Sequence, residues 1–310
     1  MITLAAGLSY IDLNFQDRPR VIATVVVHGP GGVALVDPGP SSTLPVLKRE
    51  LERAGIAIAD VTALLLTHIH LDHAGASGTL VRENPRLRVY VHQKGAPHMV
   101  DPSRLLASAT RLYGDAMDRL WGECQPVPAD AIVALAGGER ITASGRELDV
   151  AYTPGHASHH VSYFSGDSGI AFVGDTAGIR VTAGGPGGFV LPPTPPPDID
   201  LDAWRDSLRR IDAWGAGTLF LTHFGPSAPV GPHLRELGDH LELTRRLVAE
   251  SLAQDGTDET REQWFIGEIR RALRRHMTDA DAHTYEVAGR IDLNWRGMAR
   301  YLRKRLVAGG

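Results

Sequence analysis

The sequence predicts an α/β protein with a helical C-terminal extension. Three observations carry that prediction. Short β-branched or apolar runs, such as residues 21–27, 33–36, 63–66 and 218–221, read as strands, with helical spacing between several of them. Four such runs release a histidine or an aspartate where the strand ends, at His68, His156, Asp175 and His223. From Pro232 onward the apolar residues keep a helical stripe instead: Leu234, Leu237, Leu241, Thr244, Leu247 and Val248. We divide the 310 residues into a body, 1–230, and a helical extension, 231–310.

Composition bounds the class. Hydrophobic residues are 43% and charged residues 22%, as in a soluble globular protein. No apolar run approaches the ~20 residues that span a bilayer. Residues 1–7 lack the basic segment and long apolar core of a signal peptide. The single cysteine, Cys124, rules out an internal disulfide and reads as structural. A cytoplasmic protein is the expectation. Net charge is −4 but uneven: residues 1–260 carry 21 basic and 30 acidic side chains, residues 261–310 carry 11 and 6.

Taken in order, residues 21–27 and 33–36 form a hairpin around the turn Gly29-Pro30-Gly31-Gly32, and Asp37-Pro38-Gly39 ends it. Ser41 opens a helix to about Ala54. Residues 63–66 form the strand that delivers Thr67-His68-Ile69-His70-Leu71-Asp72-His73, and a helix follows from Ala74. Residues 88–91 form another strand, and residues 96–122 mixed helical segments. The strand 147–152 delivers His156, the strand 170–173 delivers Asp175, and the strand 218–221 delivers His223. A Gly-rich run, 184–188, and a Pro-rich run, 192–197, lie between the last two. They predict a stiff extended loop walling the pocket, with Arg180 and Phe189 as substrate contacts. Helices follow at 200–214, from Pro232 to a break at 255–258, at 264–276 and at 283–306.

Three histidines and a carboxylate within six positions make a metal cluster. Neutral imidazole and carboxylate suit zinc, iron or manganese. Six positions cannot wrap four side chains around one ion, and their alternation sends them different ways. That favours two adjacent ions, each completed from elsewhere in the chain.

The run His68-x-His70-x-Asp72-His73 resembles the signature of the metallo-β-lactamase superfamily, and the resemblance covers roughly residues 18–226. It implies an αββα sandwich with a metal site, commonly dinuclear, at one edge. One ion would take His68, His70 and His156, the other Asp72, His73 and His223, and Asp175 would bridge them. Two divalent ions, foremost zinc with iron or manganese as alternatives, are the expected cofactors, and Asp72 and Asp175 the expected catalytic carboxylates. An Asp at the place of Asp37 supports the ligand loop in the family, whereas the bare sequence allows an ordinary strand-end turn. His159 lies outside the pattern, as a substrate group, a support or a packing residue.

Two ions sharing a water would lower its pKa toward ~7 and present hydroxide to an electrophile. The expected reaction is therefore metal-assisted hydrolysis of a small-molecule substrate. Asp72-His73 with Asp175 resembles the thioesterase and lactonase style of site, glyoxalase II among them, so a thioester or lactone is expected. The alternatives are phosphodiester cleavage, as by the family's nucleases, and the one-iron persulfide dioxygenases that share the fold; a binding module would be expected to have lost ligands. The arginines of the tail invite a nucleic-acid reading, but such runs are usually solvated helix faces. The tail's apolar stripes would pack on the sandwich or on a second subunit of a homodimer. Its first helix, leaving the loop at His223, is expected beside the pocket as a lid.

Overall fold

The computed structural model describes residues 1–181 and 188–308. Among the described residues thirteen strands form two sheets. The first, seven-stranded, runs in the order β1 (Ile2–Ala5), β2 (Leu8–Asp12), β3 (Ala23–Gly29), β4 (Gly32–Val36), β5 (Val61–Leu65), β6 (Arg88–His92), β7 (Ile132–Leu135). The second, six-stranded, holds β8 (Arg140–Ala143), β9 (Arg146–Tyr152), β10 (Val161–Ser165), β11 (Ile170–Phe172), β12 (Thr218–Leu221) and β13 (Gly225–Ser227), from β13 at one edge to β8 at the other. The expected hairpin is β3–β4, closed where Gly29 pairs with Gly32. At Gly32 φ is +113°, and an added Cβ would lie 2.7 Å from the Asp60 carbonyl oxygen, so only glycine fits.

The layers follow from where the apolar faces point. Val25, Val27 and Leu65 of the first sheet meet Val150, Tyr163 and Phe172 of the second in one buried cluster. The outer face of the first sheet is covered by α1 (Leu44–Arg53), α2 (Leu71–Ala74), α3 (Ser77–Glu83), α4 (Ala96–Val100), α5 (Ser103–Tyr113) and α6 (Met117–Trp121). The outer face of the second is covered by α7 (Leu201–Ala213) and the tail helices α8 (Val230–Leu252), α9 (Asp258–Arg274), α10 (Asp279–Gly289) and α11 (Ile291–Ala308). This is the αββα sandwich with C-terminal helices that the resemblance implied.

Three differences from the sequence reading have physical reasons. The strands β1, β2, β7, β8 and β13 were not read; runs of five residues or fewer show no period, and these deliver none of the ligands that marked equally short β5, β11 and β12. The helix read over 283–306 is two helices, broken at Arg290, whose φ is 39°. Gly289, just before the break, sits so close to Leu191 that a Cβ would come within 2.4 Å of its side chain. The expected basic face of the tail is largely neutralised locally: Arg270 pairs with Glu286, Arg274 with Asp279, Arg296 with Glu262, and Arg303 with Asp258. Among the described residues no helix is long and apolar enough to cross a membrane.

Candidate metal centre

The two sheets are stitched together at the edge where the ligand-bearing loops emerge. Val161 N donates to Thr67 O at 2.8 Å, and Ala23 N to Thr222 O at 2.9 Å. The Tyr163 hydroxyl donates to Leu66 O at 2.8 Å. The loops after β5, β9, β11 and β12 therefore open at one place, and the seven predicted side chains converge there.

They form two groups joined by a third. His68, His70 and His156 offer ligand atoms within 4.8 Å of one another; so do Asp72, His73 and His223, and so do His68, His73 and Asp175. Asp175 stands between the two groups, with Oδ2 3.4 Å from His156 Nε2 and Oδ1 3.3 and 3.5 Å from His73 and His223 Nε2. Asp72 Oδ2 lies 3.4 Å from His223 Nε2.

The hydrogen bonds behind the rings fix which nitrogens face inward. His156 Nδ1 donates to the Pro193 carbonyl at 2.8 Å and His223 Nδ1 to the Val21 carbonyl at 2.7 Å. His73 Nδ1 donates to Asp37 Oδ2 at 2.8 Å. The Thr67 hydroxyl gives its proton to Asp37, so His68 Nδ1 donates to Thr67 Oγ1 at 3.1 Å. In each neutral ring Nε2 is then a bare lone pair, and four such nitrogens point into the cluster. Nε2 of His68 and of His156 each lie about 3 Å from His70 Nδ1 (2.9 and 3.0 Å). Asp175 Oδ1 is buried with no hydrogen-bond partner among the described residues. Convergent lone pairs and an unpartnered carboxylate oxygen fit a divalent cation on either side of Asp175.

Electrostatics agree with that fit. Burial alone would depress His73, but Asp175, Asp72 and Asp37 outweigh it and push its pKa well above the ordinary value. Burial likewise opposes a charge on His223, and Asp175 and Asp72 raise it. Burial would raise Asp72, yet His73 and His223 hold it down at about 2. This half of the site favours positive charge. In the other half, burial and then neighbouring His156 lower His70 to about 4, and burial with His73 holds His68 well below its ordinary value, keeping both as neutral donors.

The cluster opens into a cavity of about 280 Å³. His159 lines it, with its ring 6.1 Å from that of His68 and Nδ1 without a partner among the described residues. Arg180 and Phe189, expected as substrate contacts, do not line it, which corrects that expectation. Phe189 is 2% exposed and stacks on His240 at 3.8 Å, because the apolar ring is drawn into the core under the tail. Arg180 Nη1 lies 3.8 Å from Glu236 of α8. Of the Gly-rich run, residues 184–187 lie outside the described residues. The Pro-rich run does wall the cavity, through Pro193 and Pro195–Pro197. The tail reaches it as well, through the α10–α11 corner and not through its first helix as expected.

Two supports lie behind the ligands, one left open in the sequence reading and one missed by it. Asp37, left open there, is fully buried and accepts from Thr67 N, Thr67 Oγ1, Thr222 Oγ1 and His73 Nδ1, each at 2.8 Å. His160, which the sequence did not single out, is also fully buried; its Nε2 accepts from Asp175 N at 3.2 Å, and its Nδ1 meets the Thr153 and Thr176 hydroxyls. The signal for His160 was a buried polar trio spread over 24 positions, which no local pattern marks.

A sandwich of this topology with this cluster at its edge defines a class, and the comparisons with known proteins give the same one. The chain belongs to the metallo-β-lactamase superfamily, whose sequence profile matches residues 17–223. It is a metal-dependent hydrolase. A metallo-β-lactamase fold-containing protein of Sulfurisphaera tokodaii is 26% identical over 237 residues, 74% of this chain and 84% of that protein. A hydroxyacylglutathione hydrolase of a Synechococcus strain is 31% identical over 153 residues, 49% of this chain and 47% of that enzyme, so the chain spans about half its length. The structure of a metallo-β-lactamase family protein from Thermus thermophilus superposes with a TM-score of 0.71 at 22% identity, covering 98% of this chain and 95% of that one. At that identity the likeness is one of fold.

Proposed function

We propose that this chain is a dinuclear metal-dependent hydrolase of a small thioester or lactone. His68, His70 and His156 would hold one divalent ion, Asp72, His73 and His223 the other, and Asp175 would touch both. When bound, such ions act as Lewis acids and lower the pKa of water. The residues do the rest. Asp37, Thr67 and the Val21 and Pro193 carbonyls fix the ring orientations; His160 holds the Asp175 main chain; the apolar cavity beside the cluster limits water around the substrate. The observation that carries the reading is the division of Asp175, one oxygen toward each histidine group. The similarity to hydroxyacylglutathione hydrolases, named for a thioester substrate, supports the ester class over phosphodiesters. Zinc heads the candidate metals on donor type, with iron or manganese also suited. We place the enzyme in the cytoplasm, with a small molecule and not nucleic acid as its partner.

The test is elemental analysis of untagged protein saturated with zinc, iron or manganese, followed by a panel of thioesters, lactones and phosphodiesters. Two ions per chain and turnover of a thioester or lactone are expected. One ion per chain with oxygen consumption on a persulfide, or phosphodiester cleavage alone, overturns the proposal.

A further inference from the structure

The cavity beside the cluster is built unevenly. On one side of it stand the ligand residues His70, Asp72, His156, Asp175 and His223. The rest of its lining is mostly apolar: Phe15, Leu105, Leu112 and Trp121 from the first layer, Val287 and Leu293 from the tail, with Ser108 and the half-buried Tyr113 as the uncharged polar groups on α5. Phe15 and Trp121 stack at 5.6 Å and are 3% and 7% exposed, so this wall is packed. The charged residues that also line the cavity, Lys94, Arg104 and Asp198, are exposed and so mark its mouth. Arg290, which also lines the cavity, is engaged by its own neighbour: its guanidinium donates twice to Asp292, at 3.0 and 2.8 Å.

An apolar wall that continues from a hydrolytic centre favours an occupant with matching surface, because each buried methylene contributes by leaving water. A phosphodiester or polyanion would bring charges against Leu112, Val287 and Leu293 with no partner there. A short hydroxylated acyl group would leave the same wall unfilled.

We propose that the cavity between α5 and the α10–α11 corner is an acyl pocket, and that the substrate is a carboxylic thioester or lactone with an uncharged, aliphatic acyl chain of several carbons. This deepens the function proposed above and rests on it for the reacting bond only. In the reaction, water adds to the acyl carbon, the bond to the leaving sulfur or oxygen breaks, the leaving atom takes a proton, and the carboxylic acid stays in the pocket until release. Leu112, half-buried on α5, is a specificity-determining residue.

The experiment uses the full chain in two forms. Metal-loaded protein is given straight-chain acyl thioesters from acetyl to decanoyl, and metal-stripped protein is melted in the presence of neutral straight-chain alkyl amides of the same lengths. We expect kcat/KM to rise by up to about fourfold per methylene until the pocket is full, and Tm to rise with amide length over the same range. Leu112→Trp should move both optima to shorter chains and Leu112→Ala to longer ones, so the inference stays testable if the larger residue disturbs folding. A flat response to chain length in both measurements, or a Leu112→Ala protein with wild-type chain preference, overturns it. Length-dependent amide binding with no cleavage of any carboxylic ester would sink the thioester or lactone reading and leave the acyl pocket standing.

Discussion

At the scale of single residues, the site is held by groups that would not themselves touch a substrate. Asp37 accepts four hydrogen bonds in a spot sealed from water, and its φ of 50° is the left-handed conformation that aspartate tolerates better than most residues. An amide cannot accept all four. Asp37→Asn should therefore leave His73 misaligned and lower metal affinity by ~10–100-fold, the range for such supporting groups. Competition with a calibrated chelator measures this, and wild-type affinity would show that Asp37 is only a turn residue. Asp175→Ala removes the oxygen atoms facing both histidine groups; turnover should fall at least ~100-fold while the far-ultraviolet spectrum stays native. The residue scale was the most legible. His68, His70, Asp72, His73, His156, Asp175 and His223 each follow an apolar strand, and strand exits gather at one sheet edge. Asp37 was legible only through the resemblance, because Asp-Pro-Gly after a strand reads equally as a turn, and the partner that decides its role lies 36 positions away at His73.

At the scale of elements, sequence periodicity located the long pieces and missed what depends on contact. The stripe from Leu234 to Val248 is α8, all of it against the second sheet's outer core. Arg180 and Phe189 were misplaced because loop residues near two ligands in sequence can turn away from them in space; Phe189 does so to stack on His240. The start of α8 carries a further buried titrating group. His233 is 1% exposed, its Nε2 donates to the Ala177 carbonyl at 2.8 Å, and its Nδ1 accepts from the Ser227 hydroxyl at 2.9 Å. Burial holds its pKa down at about 4, against an ordinary value of 6.5. The unfolded chain thus binds a proton that the folded chain refuses. Stability from this group is complete above pH 6.5 and is lost as pH falls toward 4, on the order of 3 kcal/mol over that window. His233→Gln keeps a donor and an acceptor but no titrating ring. Its urea midpoint should fall less than that of the wild type between pH 7 and pH 4.5, and equal slopes would count against this account.

At the scale of the whole molecule, the tail belongs to the same packing as the sandwich. Leu219 and Leu221 of β12 and Trp204 of α7 share one buried cluster with Leu237, Leu241 and Phe265. A chain cut after Ser227 would expose that face, so a point change is the better probe of how the tail acts on the centre. The contact that matters is at α11. Asn294 is 2% exposed; its Oδ1 accepts from Thr194 N at 2.8 Å, and its carbonyl accepts from the Thr194 hydroxyl at 3.0 Å. One turn on, a Cβ at Gly297 would fall 2.0 Å from the Thr194 carbonyl oxygen, so helix and loop are in close contact there. The neighbouring Pro193 carbonyl is the acceptor for His156 Nδ1. The tail thereby grips the loop that aims a ligand ring. Asn294→Ala leaves the Thr194 N–H buried without its partner, a cost of ~1–3 kcal/mol. We expect Tm to drop by several degrees. We also expect the affinity for the first metal to weaken several-fold as the Pro193 carbonyl loosens, with Asn294→Asp, which keeps an acceptor oxygen, recovering part of the loss. Lower Tm with unchanged metal affinity would mean that the tail braces the sandwich without aiming His156.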